Sequence, residues 1–178
     1  MDVRTTFSVF MAALAIGACD APAATIAGPE LATPRNAAAA AGKIAASGTF
    51  AQTAITGLEV RAAGSNTIIE QTSVGTVDGT LSGTYQDEVR VIIHSNGTFN
   101  AHFTITCQCQ MNGDAGVLEL VAGDRGRITG PNTATFAGRA TIIDGSGELA
   151  GLRGVLRIAG SVDLASGLSI YSYSGDLH

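Results

Sequence analysis

A small, closed, antiparallel β-barrel is the fold this chain predicts, and three features of its 178 residues carry that expectation. The first is the stretch Phe99-Asn-Ala-His-Phe-Thr-Ile-Thr-Cys-Gln-Cys-Gln-Met111, which alternates apolar or sulfur-bearing side chains with polar ones without a break. Successive strand side chains point to opposite faces. Phe99, Ala101, Phe103, Ile105, Cys107, Cys109 and Met111 therefore share one face, and Asn100, His102, Thr104, Thr106, Gln108 and Gln110 share the other. At roughly 3.3 Å per residue the stretch extends about 43 Å, a length suited to a bent strand in a closed or rolled sheet. The second feature is composition: 23 glycines, no tryptophan, and Thr, Val and Ile in short runs match many strands joined by tight turns. The third is the position of glycines on the apolar faces, where close curvature leaves little room; this fits a small barrel better than a sandwich.

The N-terminal segment reads differently. An apolar run after Arg4 ends in Ile16-Gly-Ala-Cys19, the pattern of a bacterial lipoprotein signal. The run is too short for a spanning helix, and the small Gly17 and Ala18 suit a signal peptidase pocket. Residues 1–18 are accordingly expected to be a signal peptide, with Cys19 as the lipidated first residue of the mature chain; simple secretion is the alternative. Residues 19–46 are rich in Ala, Pro, Gly and Thr and lack sustained alternation, so they are expected to form a tether, with a frayed helix possible in the alanine run. Residues 47–178 are then the barrel domain, a single domain by length.

Within that domain, Ser47–Thr53 is weakly patterned and Thr67–Val74 carries Ile68 and Ile69. Val77, Gly79, Leu81, Gly83 and Tyr85 share a face of the next segment. Glu88–Ser95 alternates again and leads into Asn96-Gly97, an Asn-Gly pair that predicts a type I′ hairpin because both residues accept a positive φ. The same logic at Asn112-Gly113 turns the long strand into Val117–Val121. Phe103, midway along the long strand, is expected to be central to the core. Thr133–Ile143 places Ala134, Phe136, Gly138, Ala140 and Ile142 on one face, and Leu152–Leu164 and Leu168–His178 complete eight to ten strands.

Candidate chemistry is sparse. Glu119 interrupts Val117–Val121 and, if turned inward, is a desolvated general acid or base. The favoured facing puts Leu118 and Leu120 inward and Glu119 in solvent. Tyr85 shares an apolar face with Leu81, so its hydroxyl either aims into a cavity or serves packing. Cys107 and Cys109 lie two positions apart on one face, about 6.6 Å in a flat strand and near the outer limit of disulfide geometry, which leaves two buried thiols or a disulfide that needs a bulge or strain to form. His94, His102 and His178 show no clustered spacing, so no metal site is expected. Gly145-Ser-Gly147 lacks the spacing of a nucleotide loop and reads as a barrel corner. A net charge of −5 offers a polyanion no electrostatic footprint, which argues against nucleic acid.

Gly145-Ser-Gly-Glu-Leu-Ala-Gly-Leu-Arg-Gly154, with Ala46-Ser-Gly-Thr-Phe50 and Tyr173-Ser-Gly-Asp-Leu-His178, resembles the allene oxide cyclase barrel-like superfamily, in particular its bacterial branch. The resemblance implies an antiparallel barrel of about eight strands, lipocalin-like in closure, with a largely apolar cavity and no cofactor. The superfamily's catalytic set does not map onto this chain, so its activity is not carried over; read from strand facing alone, Phe99, Phe103, Ile105 and Phe136 are the ligand-binding side chains expected inside, and Glu119 and Tyr85 the catalytic candidates. The expected function is binding of a small hydrophobic molecule by an exported barrel of the cell envelope, bound to membrane only through the N-terminal lipid. A cofactor-free cyclase or isomerase is the alternative, and a structural envelope protein the third reading. No oligomeric state is assigned.

Overall fold

A computed structural model describes residues 42–178. The strands are β1 (Ile44–Ala63), β2 (Asn66–Gly79), β3 (Ser82–Ile93), β4 (Thr98–Met111), β5 (Asp114–Gly130), β6 (Thr133–Gly145), β7 (Gly154–Asp163) and β8 (Ser169–Leu177). Each pairs antiparallel with the next, and β1 also pairs with β8 from Ile44↔Leu177 to Ala51↔Ile170, so the sheet closes on itself. Closure satisfies the outermost backbone groups that an open sheet would leave unpaired.

Three boundaries differ from expectation. β1 begins at Ile44, before the expected start at Ser47, because Ala46 is buried and the β8 register runs to Ile44. The segments 77–85 and 88–95 are not separate strands. Val77 lies near the end of β2, which runs to Gly79, Leu81 sits in the turn, and Tyr85 falls within a β3 that runs unbroken from Ser82 through Asp87 to Ile93. The chain turns at Gly79, whose φ of +117 a side chain would strain. At Asn96-Gly97 only the glycine is left-handed, and four residues, His94–Gly97, separate the strands rather than two. His94 C=O accepts the Gly97 N–H at 2.9 Å, and the Asn96 side chain accepts from the Thr98 N–H at 3.0 Å. That side chain caps the loop, so Asn96 need not adopt the type I′ conformation. Asn112 and Gly113 do both take positive φ, in the two-residue turn expected of them.

The inward faces are those the alternation marks. In β4, Phe99, Ala101, Ile105, Cys107, Cys109 and Met111 are buried while His102 is exposed. The β5–β6 pairing carries register shifts at Glu119/Leu120 and Ile128/Gly130, and β1 departs from period two in the wall of the barrel: register shifts after Gln52 and after Ile55 make Gln52, Ile55 and Leu58 share a face at a spacing of three. Each bulge adds a residue, bends the strand and restores inward facing beyond it.

The two ends of the barrel are unlike. At one end Leu81, Met111, Leu118, Leu177 and Leu149, the last from a 3₁₀ turn at Gly147–Leu149, pack into a plug. Tyr173 ties this end together, its hydroxyl accepting the Leu81 N–H at 2.8 Å and donating to the Leu81 carbonyl at 3.3 Å. Above the plug lies an aromatic layer. Phe50 stacks on Tyr171 at 5.2 Å and meets Tyr85 and Tyr173 edge-on at 5.2 and 5.3 Å. Inward glycines make this possible, since Gly48 lies opposite Tyr173 and Gly75 opposite Tyr85; Gly126 likewise lies opposite Phe99, outside this layer. A Cβ at any of the three would overlap the ring facing it.

Candidate functional site

Beyond the aromatic layer, toward the opposite end, the interior is not filled. A cavity of about 340 Å³ opens there. Its volume lies within the range of roughly 300–1,000 Å³ typical of small-molecule sites. Its walls come from the ends of all eight strands and the β7–β8 loop: Val89, Val91 and Ile93 on β3, Phe99 and Phe103 on β4, and Phe136 on β6 among others. At the mouth Leu58, Val60, Ile128 and Leu164 remain exposed, an apolar rim.

The charged groups of the cavity are two acids, Asp87 and Asp124, set among the polar side chains of Gln52, Gln71, Ser166, Ser169 and Tyr171. Asp87 is 2% exposed; its carboxylate accepts from the Ser73 hydroxyl and, at 3.2 Å, from the Gln52 side-chain amide. Gln52 also donates to Ser73 Oγ at 2.8 Å and accepts the Ser169 N–H at 2.9 Å, tying β1, β2, β3 and β8 together. Burial raises the Asp87 carboxyl above its ordinary range, against the opposing hydrogen bonds from Ser73 and Gln52. Asp124, 7% exposed on β5, lacks such a network. Burial pushes it up to about 7, opposed by a backbone hydrogen bond at Ala101, and its Oδ1 has no hydrogen-bond partner among the described residues. The Tyr85 and Tyr171 hydroxyls are likewise buried; they lie near each other but form no hydrogen bond in good geometry, and burial raises both. Unpartnered buried polar groups cost free energy and call for an explanation. Here three of them sit at or just beneath the floor of an apolar cavity.

Of the side chains singled out from sequence, Phe99, Phe103 and Phe136 line the cavity. Ile105 does not: it is 1% exposed and lies deeper, in the packed core. Phe103 faces inward but is only half-buried, because the space beside it is the cavity rather than other side chains. Tyr85 points inward, in the aromatic layer under the cavity floor. Glu119 is on the outer face. Leu118 and Leu120 occupy the inward positions beside it, so Glu119 cannot serve as an interior acid or base. Cys107 and Cys109 are joined as a disulfide, with Cα atoms 5.3 Å apart; the strand is contracted from its flat spacing, which brings the pair into bridging range. His102 is exposed, and His94 sits at the rim between Asn66 and Asn100. Among the described residues no group of three or more His, Cys, Asp or Glu is placed to hold a metal. Cys19 and the tether lie outside the described residues.

Asp87, Asp124, Gln52, Ser73 and Tyr171 were not singled out from sequence. The signal for the acids was present: Tyr85, Asp87, Val89 and Val91 alternate in register, as do Leu118, Leu120, Ala122 and Asp124.

The chain matches no protein-family model and no curated protein. Among solved structures it is similar to a pterocarpan synthase dirigent protein, with 17% sequence identity and a TM-score of 0.43 over 76% of this chain and 87% of that one. The allene oxide cyclase assignment gains no family match, and the architecture that stands is an eight-stranded antiparallel barrel, all-β and closed.

Proposed function

We propose that this chain is an exported, lipid-anchored barrel that binds a small hydrophobic molecule in its open end. The observation that carries this reading is the apolar cavity of about 340 Å³ above a filled plug. A barrel with a purely structural task has no use for an interior left empty at one end, since filling it would add stability. Export is supported by the Cys107–Cys109 disulfide, because disulfides persist in oxidising compartments and are rare in cytosolic proteins. Lipidation at Cys19 rests on Ile16-Gly-Ala-Cys19 alone. Intact-mass analysis of membrane-extracted protein tests it: an acylated chain beginning at Cys19 is expected, and a mature N-terminus beyond Cys19 without acyl mass rules it out.

Binding is tested by titration with a neutral apolar fluorophore such as N-phenylnaphthylamine. Saturable enhancement is expected in the wild type, with a large loss in Val89→Trp, which fills the cavity from a half-buried wall position. An unsaturable wild-type titration, or one unchanged by Val89→Trp, refutes the site. A second reading, a cofactor-free cyclase or isomerase, is favoured by one observation. Asp124, pushed up to about 7 beside the cavity, is suited to exchange protons near neutral pH. It takes the role for which Glu119, had it turned inward, was the candidate.

A further inference from the structure

Resting on the binding role just proposed, we infer that the cavity selects ligands with an apolar body and a cationic amine head, which docks on Asp124 at the cavity floor. Three observations combine. The cavity presents two carboxyl groups, Asp87 and Asp124, while no Lys, Arg or His among the described residues lines it. Asp87 already has two partners in Ser73 and Gln52, whereas Asp124 Oδ1 has none among the described residues. Tyr171, 4% exposed, also lines the cavity, and its hydroxyl, with only the Tyr85 hydroxyl near it and no hydrogen bond in good geometry, is a second polar group there.

A buried carboxylate without a counter-charge is costly, and an ammonium group is the ligand head that removes this cost most completely, through a charge-assisted hydrogen bond. A carboxylate head, as in a fatty acid, would instead bring a third negative charge into a low-dielectric space. An alcohol donates a hydrogen bond but leaves the charge uncompensated. The apolar walls at Val91, Phe99, Phe103 and Phe136 set the rest of the ligand.

The titratable groups around Asp124 are few. On its own strand pair, Ala101 of β4 and Gly138 of β6 lie opposite it and carry no charge. Asp87 on β3 and Tyr171 on β8 face the same space, and His102 lies outside the wall over Gly123. Burial raises the carboxyl, so below about pH 7 the ammonium must compete with a proton. Amine affinity should therefore rise about tenfold between about pH 6 and about pH 8, as the ionised fraction of a group titrating near 7 grows from roughly a tenth to roughly nine-tenths. Alcohol affinity should not follow it.

The experiment is competition against the neutral fluorophore by decylamine, decanol and decanoate at both pH values, on the wild type and Asp124→Asn. The expected order at the higher pH is amine tightest by about tenfold or more, then alcohol, then carboxylate. Asp124→Asn should abolish the amine's advantage and its pH dependence. An alcohol or carboxylate binding as tightly as the amine overturns the inference, as does a wild-type amine affinity flat with pH. The wild-type series stands even if the variant fails to fold. A fluorophore that does not bind at all instead overturns the binding role itself, which separates the two failures.

Discussion

Asp124 is held with its carboxyl in an apolar cavity, and that has a consequence for stability as well as for binding. Its folded-state value of about 7 stands above the ordinary 3.8, so the native chain holds the proton more tightly than the unfolded chain does. Below about pH 4 both states are protonated and nothing is lost. As the pH rises from there toward 7 the unfolded state ionises first, and stability falls; Asp87, also raised, acts in the same direction. Asp124→Asn should therefore melt several degrees above the wild type near pH 8 and close to it near pH 4. Thermal melts across that window check the sign, and a gap between variant and wild type that does not widen as the pH rises contradicts the assignment. A second residue-scale contrast lies on β4. Ile105→Ala opens a void in a filled core and should cost about 2–5 kcal/mol, while Phe103→Ala enlarges an existing cavity from a half-buried position and should cost about 1–2 kcal/mol. His102→Ala, on the outer face, should stay within about 0.5 kcal/mol. Denaturant melts rank the three. The facing of all these β4 residues was legible from alternation alone; the acids were not, because an inward-pattern reading stops where it meets a carboxylate. Asp87 falls at the gap between two segments read as separate strands, and Asp124 just past the end of Val117–Val121.

At the level of elements, large inward aromatics are matched by glycines on the neighbouring strand. Gly126 shows the constraint most sharply: an added Cβ would overlap both the Phe99 ring and the Thr135 carbonyl. Gly126→Ala should destabilise by about 1–3 kcal/mol through displaced backbone and ring. Gly123→Ala, three residues earlier on the outer face, would bring a Cβ only to ordinary contact with the His102 ring and should be near neutral. Equal costs at the two positions would mean the rings do not sit where the packing places them. Glycines on the inner faces were visible in the sequence, and so was the barrel curvature they permit. The two bulges of β1 were not, because a spacing of three across Gln52, Ile55 and Leu58 mimics no strand pattern and made β1 look weakly ordered. The Asn96-Gly97 loop was legible as a turn but not by type, since the Asn96 side-chain bond to Thr98 replaces a conformation that the dipeptide alone suggests.

For the whole molecule, closure depends on the first residues of β1. Ile44 pairs with Leu177 and packs against the core, and Ala46 is buried beside Gly175. A chain beginning at residue 42 should melt cooperatively, whereas one beginning at residue 47 should melt measurably lower because three pairs of the β1–β8 seam are lost. Comparable melting of the two would place those residues outside the cooperative unit. The closed, all-β architecture was legible because alternation and turn chemistry are local; the division into a plugged end and an open end was not, because it depends on which side chains meet across the barrel. That division is the basis of the functional reading, and methyl NMR tests it most directly. Titration with decylamine should shift the methyl resonances of Val89, Val91, Ile93 and Val162 saturably, while those of Leu81, Leu118, Leu156 and Leu177 in the filled part stay in place. Shifts confined to the outward-facing Val121, Val155 and Ile170, or none that saturate, would contradict a ligand site inside the barrel.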